Sequence, residues 1–411
     1  MGRTTEVRAD ALAVSDKEDL KGPEGSTMRI VADENIPLLE SFFGDMGNIR
    51  QVPGRTMSAD DVKDADILLV RSVTRVNEAL LGDSRVRFVG TCTIGTDHID
   101  QDWLGSAGIA FSAAPGCNAN SVAEYVLSVI SLRAEKLCLD DWTDLSVGIV
   151  GAGNVGGELA HKLDRLGFDV VVCDPPLAEQ SDEDDDRYST LEEALKCDVV
   201  TLHTPLVRDG DHPTYHLIDE SRLALLGRDQ LLINTSRGEV IDTSALIRRL
   251  SEANPPTVAL DVWENEPRIN PELVEQAWLA TPHIAGYSLE GKVQGSEMIY
   301  HALSRFMGLP VRKKAGQFLP EPALSKLSFT SAANEMDAAW VAIRSCCDPR
   351  RDDARLRRTL SLSADERGQA FDRLRRQYPV RREFSSLKIQ LKGTSKSAQD
   401  TFRALGFKIK M

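Results

Sequence analysis

Short apolar runs separated by amphipathic stretches recur along most of this chain, and their spacing predicts its architecture. The clearest instance is residues 145–174, LSVGIVGAGNVGGELAHKLDRLGFDVVVCD. Val147–Val150 has the length of a buried strand, Leu159, Leu163 and Leu166 fall on one helical face, and Val170–Cys173 reads as a second strand. Gly167 stops the helix between them. Upstream, a strand is predicted from Met28 through Ile30 and Val31 to Asp33, and others at Asn48–Val52, Asp66–Val70, Val86–Thr91 and Ala110–Ser112, with helical patterns in between. Downstream, Asp198–Leu202, Gln230–Asn234, Thr257–Leu260 and Trp278–Ala280 bring the second set to six strands.

Such alternation implies parallel sheets with helices on both faces, and 411 residues leave room for more than one. A strong helix over Asn118–Arg133 carries the chain from the first sheet to the second, and a helical pattern over Ser288–Met307 returns it. The expected fold class is therefore α/β. Two doubly wound parallel-sheet domains occupy 28–119 with 287–315, and 120–286. After residue 315 the pattern changes: Leu324–Phe329, Met336–Cys347, Ser363–Arg376, Leu387–Leu391, Ala398–Leu405 and Phe407–Ile409 predict a small α/β unit over 316–411, with a two-stranded edge. Residues 1–27 are polar and lack the apolar centre of a signal peptide, so a disordered extension is expected, with Met28 as a second candidate start.

Composition narrows the partners. A net charge of −14 opposes nucleic acid or an anionic membrane as the main one, and no apolar run approaches the length of a membrane span. Seven cysteines without a C-x-x-C pattern argue for reduced thiols in the cytoplasm and against a disulfide framework or a zinc site. Residues 181–186, an acidic tract, read as a solvated loop, because adjacent acids have no ligand geometry of their own; no metal is expected. The tail is basic while the rest is acidic. A nucleic-acid module is the competing reading of it, opposed by the acidity of the whole chain and the lack of stacking aromatics.

The chemistry begins at Gly151, Gly153 and Gly156, spaced G-x-G-x-x-G between strand and helix. The first glycine permits the turn, the second lets backbone approach a pyrophosphate, and the third lets helix and strand pack closely. The phosphate then sits on the free N–H groups of the helix start. Asp174 ends the next strand, where a carboxylate can accept bonds from a ribose diol and would repel a ribose phosphate, so NAD is expected over NADP.

In a parallel sheet, ligands collect at the carboxyl ends of strands. There the chain offers His203-Thr204-Pro205, Thr235 to Gly238 (TSRG), Asp261 to Pro267 (DVWENEP) and Thr281 to Gly286 (TPHIAG). An arginine, a carboxylate and a histidine thus reach one edge. Oxidising a secondary alcohol needs a base for the hydroxyl proton, and His283 supplies an imidazole. Glu266 on the other ring nitrogen would fix the tautomer, and the planar fork of Arg237 suits a carboxylate. His203 is expected to orient backbone near the nicotinamide. In the first domain, Arg71 to Arg75 (RSVTR) and Cys92 to Asp97 (CTIGTD) can present hydroxyls and guanidinium to an anion, although Ser72 and Thr74 read equally well as caps of the helix ending at Leu81.

With these segments in hand, the chain resembles the D-isomer-specific 2-hydroxyacid dehydrogenases, through GAGNVG at Gly151–Gly156, NTSRG at Asn234–Gly238, DVWENEP and TPHIAG. The resemblance runs from about Met28 to Leu309. It implies Arg237, Glu266 and His283 as catalytic residues, with His283 as acid/base. It further implies NAD on Gly151, Gly153, Asn154, Val155, Gly156, Asp174, Thr204, Asp261 and Gly286, and substrate on Ser72, Thr93 and Tyr287, with Arg71 beside them. A narrower group within the family is resembled through ADENIP at Ala32–Pro37, VRSVT at Val70–Thr74, GTCTIGTDHID at Gly90–Asp100 and AGYS at Ala285–Ser288. That implies a small phosphorylated 2-hydroxy acid as substrate, a dimerisation domain in the tail and hence a homodimer, and reoxidation of NADH in place by a second oxo acid. The phosphate is expected on Arg71, Arg75 or tail arginines such as Arg350 and Arg351. Two alternatives keep the same strand-end residues: another family dehydrogenase such as phosphoglycerate dehydrogenase, and an NAD-sensing corepressor, which NADH formation on adding substrate would separate.

Overall fold

The computed structural model describes residues 28–181 and 187–410; the expected N-terminal extension and most of the acidic tract lie outside them. The chain divides into two compact units. The first comprises its described residues through Ala114 together with Ser296–Lys314; the second comprises Pro115–Gly295 and Ala315–Met411.

In the first unit β1 (Arg29–Asp33), β2 (Asn48–Val52), β3 (Ile67–Val70), β4 (Phe88–Thr91) and β5 (Ala110–Ser112) pair in parallel in the order β2-β1-β3-β4-β5. β3 and β4 are buried throughout, which is why ILLV reads as a continuous apolar run and FVGT shows no polar alternation before Thr91.

In the second unit β6 (Val147–Val150), β7 (Val170–Cys173), β8 (Val199–Leu202), β9 (Leu231–Asn234), β10 (Thr257–Leu260) and β11 (Leu279–Ala280) form a parallel sheet ordered β11-β10-β9-β8-β6-β7. The order reverses at β6, so a crevice opens between the loops that follow β6 and β8. Helix α1 (Ala119–Leu137) is buried on every side from Ser121 to Ala134. It packs against α2 (Asn154–Leu166) on one flank and against a helix of the tail on another. The mixed face that the sequence offers, with Ser121, Glu124, Ser128 and Ser131 among apolar residues, is therefore interior and has to find polar partners there.

The tail supplies them. α3 (Leu289–Phe306) is followed by β12 (Lys326–Thr330), α4 (Glu335–Cys346), α5 (Arg350–Arg357), α6 (Ala364–Arg376), β13 (Lys388–Lys392), α7 (Lys396–Leu405) and β14 (Lys408–Lys410). The sheet has three parallel strands, β12-β13-β14, where the sequence suggested a two-stranded edge; Lys388–Gln390 pair with Lys408–Lys410 as well as with β12. Nor does this segment pack apart from the nucleotide domain expected over 120–286. α4 lies on α1 and α7 on α2, and Trp340, Ile343, Phe384, Phe402 and Leu405 share one apolar core with Tyr125, Val129, Leu159 and Leu163. Within it, Glu383 accepts hydrogen bonds from Ser121 (3.0 Å), Ser288 (2.8 Å) and the Asn120 amide (2.6 Å), and Glu124 accepts the Phe384 N–H at 2.9 Å. Those bonds answer Ser121 and Glu124, while Ser128 donates to the Cys347 carbonyl and Ser131 to the Ser128 carbonyl, each at 2.7 Å. No helix among the described residues is long and apolar enough to cross a membrane.

Candidate active site

At the crevice between β6 and β8, Gly151 has φ 91°, and a Cβ there would come within 2.8 Å of His203 carbonyl carbon and Thr204 nitrogen. Only glycine lets these two loops meet. A Cβ on Gly156 would fall 1.9 Å from the Gly151 carbonyl oxygen, so α2 is seated directly on the turn. Gly153, the cap residue of α2, behaves differently: a Cβ there meets nothing within 4 Å. The open space lies beside the first N–H groups of α2, Asn154 and Val155 onward, where a pyrophosphate would sit. Across the turn, the Thr204 hydroxyl oxygen is buried without a partner among the described residues. Asp174 accepts Ala152 N–H at 2.7 Å through one oxygen and Leu177 N–H at 3.1 Å through the other, which fixes the carboxylate and leaves each oxygen a further lone pair. These features fit a dinucleotide. NAD is expected to support turnover at least about tenfold better than NADP, the ratio that roughly 1.4 kcal/mol of like-charge repulsion produces; equal kcat/KM with the two cofactors would count against Asp174 as the ribose ligand.

The residues expected to be catalytic stand on the same edge, each held by backbone strain or by a buried partner. Asp261, at the end of β10 and 1% exposed, accepts the Thr281 hydroxyl at 2.6 Å, Ile284 N–H at 2.8 Å and Ala285 N–H at 2.8 Å. Burial raises its carboxyl above the usual range, against the opposing pull of His283 and of these donors. The three bonds fold 281–285 into a tight loop in which His283 takes φ 57°, a left-handed conformation uncommon outside glycine. His283 Nδ1 meets Glu266 Oε2 at 2.8 Å, and Glu266 Oε1 accepts Trp263 N–H at 3.1 Å. Burial alone would raise the Glu266 carboxyl, but the charge and hydrogen bond of His283, with Arg375 behind them, hold it below the usual range. The glutamate is therefore an anion bonded to one ring nitrogen, which leaves Nε2 of His283 for a reacting group; a third of the side chain is exposed. Gly238 brings Arg237 alongside: a Cβ there would lie 1.9 Å from the Trp263 carbonyl carbon. Arg237 is half-buried and donates from Nη1 to the Ser236 carbonyl at 2.9 Å.

His203 is not a competing base. Its ring nitrogens meet the Thr201 and Thr235 hydroxyls at 2.9 and 3.2 Å, and burial pushes the imidazole down to about 3. Neutral and bonded on both sides, it orients the loop that carries Thr204. Gly286 is used from within: a Cβ there would fall 2.1 Å from the Asn118 amide nitrogen at the start of α1.

Of the expected substrate residues, Tyr287 lies in the same compact unit as the His283 loop, while Arg71, Ser72 and Thr93 follow β3 and β4 of the other. The capping reading of Ser72 and Thr74 does not hold. Asn77 caps the helix that ends at Leu81, accepting Leu80 N–H, and the buried Thr74 hydroxyl donates to the Gly54 carbonyl at 2.9 Å. Ser72 stays exposed, and the Thr93 hydroxyl meets that of Thr91 at 2.8 Å. Arg350 is misplaced by the expectation. It pairs with Asp348 at 2.6 Å beside Trp278, at the amino end of β11, and so faces away from the edge that carries His283. Three tail residues that the sequence did not single out stand at the site instead. Arg381 donates to the carbonyls of Ala285 and Ser121, Glu383 ties Ser288 to α1, and Arg375 reaches Glu266. In the sequence they are three charges among many on amphipathic segments.

Comparison with known proteins agrees with this geometry. Over 384 residues, 93% of this chain and 100% of the relative, it is 70% identical to the erythronate-4-phosphate dehydrogenase of Marinobacter nauticus. The chain belongs to the erythronate-4-phosphate dehydrogenase family. A Hahella chejuensis member is 51% identical, over 93% of this chain and 99% of its own length. Residues 125–285 match the NAD binding domain of D-isomer specific 2-hydroxyacid dehydrogenases, and the chain is an NAD-dependent enzyme of that larger family. Among solved structures, a D-lactate dehydrogenase of Aquifex aeolicus complexed with NAD and lactic acid aligns with a TM-score of 0.54 at 25% identity, covering 68% of this chain and 95% of that one. An NAD-dependent formate dehydrogenase of Staphylococcus aureus, with TM-score 0.55 and 21% identity over 70% and 98% of the two chains, shares the fold. Residues 318–406 match a separate model, a domain of unknown function.

Proposed function

We infer that the protein oxidises 4-phospho-D-erythronate at C2 to 3-hydroxy-2-oxo-4-phosphobutanoate with NAD, a step of pyridoxine synthesis. The observation that carries the reading is the 2.8 Å bond of His283 Nδ1 to a buried carboxylate, on the sheet edge where Gly153 leaves room at a helix start. The name shared by relatives 70% and 51% identical supplies the substrate.

NAD held by Gly151, Gly153, Asn154, Val155, Gly156, Asp174 and Thr204 would supply the acceptor for the hydride that leaves C2. Arg237 binds the carboxylate of the acid in its planar fork and fixes C2 in orientation. Nε2 of His283 takes the hydroxyl proton as the C2–O bond becomes a carbonyl, and the Glu266 anion stabilises the imidazolium that results. Asp261 holds the histidine loop through Thr281, Ile284 and Ala285, and its Oδ2, with one bond made, keeps a lone pair for NAD, to which Gly286 is also a proposed contact. Arg71, Ser72, Thr93 and Tyr287 remain the proposed substrate contacts, with the phosphate on cations of the first unit or of the tail. The homodimer, the second oxo acid and a cytoplasmic location belong to the same reading; seven free cysteines are consistent with a reducing compartment.

The test is a panel of 2-hydroxy acids followed by nicotinamide absorbance. 4-Phosphoerythronate is expected to exceed erythronate in kcat/KM by about a hundredfold, the yield of roughly two charge-assisted hydrogen bonds. Equal specificity for the two acids would remove the phosphate from the reading, and no NADH with any of them would remove the activity.

A further inference from the structure

The tail puts a cation against the catalytic carboxylate. Arg375, in the last turn of α6, stands with Nη1 3.9 Å from Glu266 Oε2, the same oxygen that meets His283 Nδ1 at 2.8 Å. Its side chain is only 15% exposed, and the guanidinium lies over two rings, 5.7 Å from the centroid of Tyr287 and 5.9 Å from that of Phe371. Tyr287 is in turn set edge-on by Tyr378, whose hydroxyl donates to Asp352 at 3.0 Å. Packing therefore fixes where this charge sits. Nε of Arg375 is buried without a partner among the described residues.

The position excludes one role and suggests another. Arg375 reaches Glu266, which is bonded to Nδ1 of His283, whereas the reacting hydroxyl must be met by Nε2. The guanidinium thus stands behind the imidazole. A lone carboxylate on Nδ1 stabilises the imidazolium and keeps the ring protonated to higher pH, where it cannot accept a proton. A second cation on the same oxygen offsets part of that attraction. We propose that Arg375 is a positioning residue, delivered by the tail, that shares Glu266 with His283 and sets the pH at which the imidazole becomes free to act as the base. The domain of unknown function matched by the tail thereby acquires a part in the reaction. The inference rests on His283 as the acid/base.

The other charged or titratable groups facing this cluster are Arg237 alongside it, Asp261 beneath the histidine loop, Tyr287 with Lys292 over its ring at 4.2 Å, Tyr378 with Asp352, and Asp372 on the helix of Arg375 itself. Of these, Tyr287 and Asp372 interact with Arg375 itself, so Arg375→Lys, which keeps the charge, is the control that assigns a shift to the guanidinium charge.

The experiment compares wild type with Arg375→Lys, Arg375→Gln and Arg375→Met in the full chain with NAD, checking each fold by circular dichroism. Two readouts are taken: the acidic limb of kcat/KM against pH, and the titration of the His283 ring by NMR without substrate. In the neutral variants both move upward by about one pH unit, the order expected for removing one nearby charge; in Arg375→Lys both stay near wild type. Folded neutral variants with an unmoved limb and an unmoved ring titration overturn the proposal. So does loss of fold in both, which would make Arg375 a folding residue only. A ring that shifts while no 2-hydroxy acid is oxidised would sink the proposed activity and leave the shared carboxylate standing.

Discussion

Replacing His283 with alanine lowers kcat for the phosphorylated acid by about a thousandfold, within the range general-base catalysis contributes, and leaves the Kd of NAD nearly unchanged. The separation follows from where the residues stand. The residues proposed to hold the dinucleotide, Gly151 to Gly156, Asp174 and Thr204, stand at the ends of β6, β7 and β8, whereas His283 follows β11. The loop itself should survive the change, because its fold is held by Asp261 through Thr281, Ile284 and Ala285 and not by the imidazole. Alanine also leaves Glu266 with Arg375 as its remaining cation, so the carboxylate stays paired. Stopped-flow turnover with NAD titrated by fluorescence reads both quantities. A variant that oxidises substrate at the wild-type rate would show that another group takes the hydroxyl proton.

Deleting residues 316–411 abolishes soluble, folded protein. The sequence alone suggested a monomer with an exposed apolar surface and poor solubility, as expected for removal of an appended dimerisation module. The packing is more intimate than that. Trp340, Ile343, Phe384, Phe402 and Phe407 belong to the same core as α1, α2 and the β6 sheet. Each such side chain is worth roughly 1.5–3 kcal/mol of burial, so five of them rival the about 5–15 kcal/mol by which a domain is stable at all. The deletion also strips Glu124 of the Phe384 N–H, and Ala285 and Ser121 of Arg381, which leaves polar groups of α1 facing an open apolar surface. Soluble yield and circular dichroism of residues 28–315 check this. A truncated chain that stays soluble and binds NAD would mean that the nucleotide domain folds without the tail.

The parallel sheets and the cofactor turn were legible because they depend on local rules. Runs such as VGIV, VVTL and LLIN are buried throughout and largely apolar since both faces of the sheet are covered, and their boundaries in the sequence fall within about two residues of the strands observed. Gly151 and Gly156 carry their meaning in the spacing, because a glycine's lack of Cβ is the whole of its contribution there. Arg237, Glu266 and His283 could be read from strand ends, since a parallel sheet delivers all of its strand ends to one edge whatever the loops do between them. What only the tertiary structure decided is which distant charges arrive at that edge. Arg375, Arg381 and Glu383 lie on amphipathic or irregular segments roughly a hundred residues beyond His283, and nothing in their local pattern separates them from Arg350, which the fold sends to the amino end of β11 with Asp348. Local periodicity reports which face of a helix is buried. It carries no information about what is buried against it, and that partner, a carboxylate already bonded to an imidazole, is what makes Arg375 more than another basic residue of the tail.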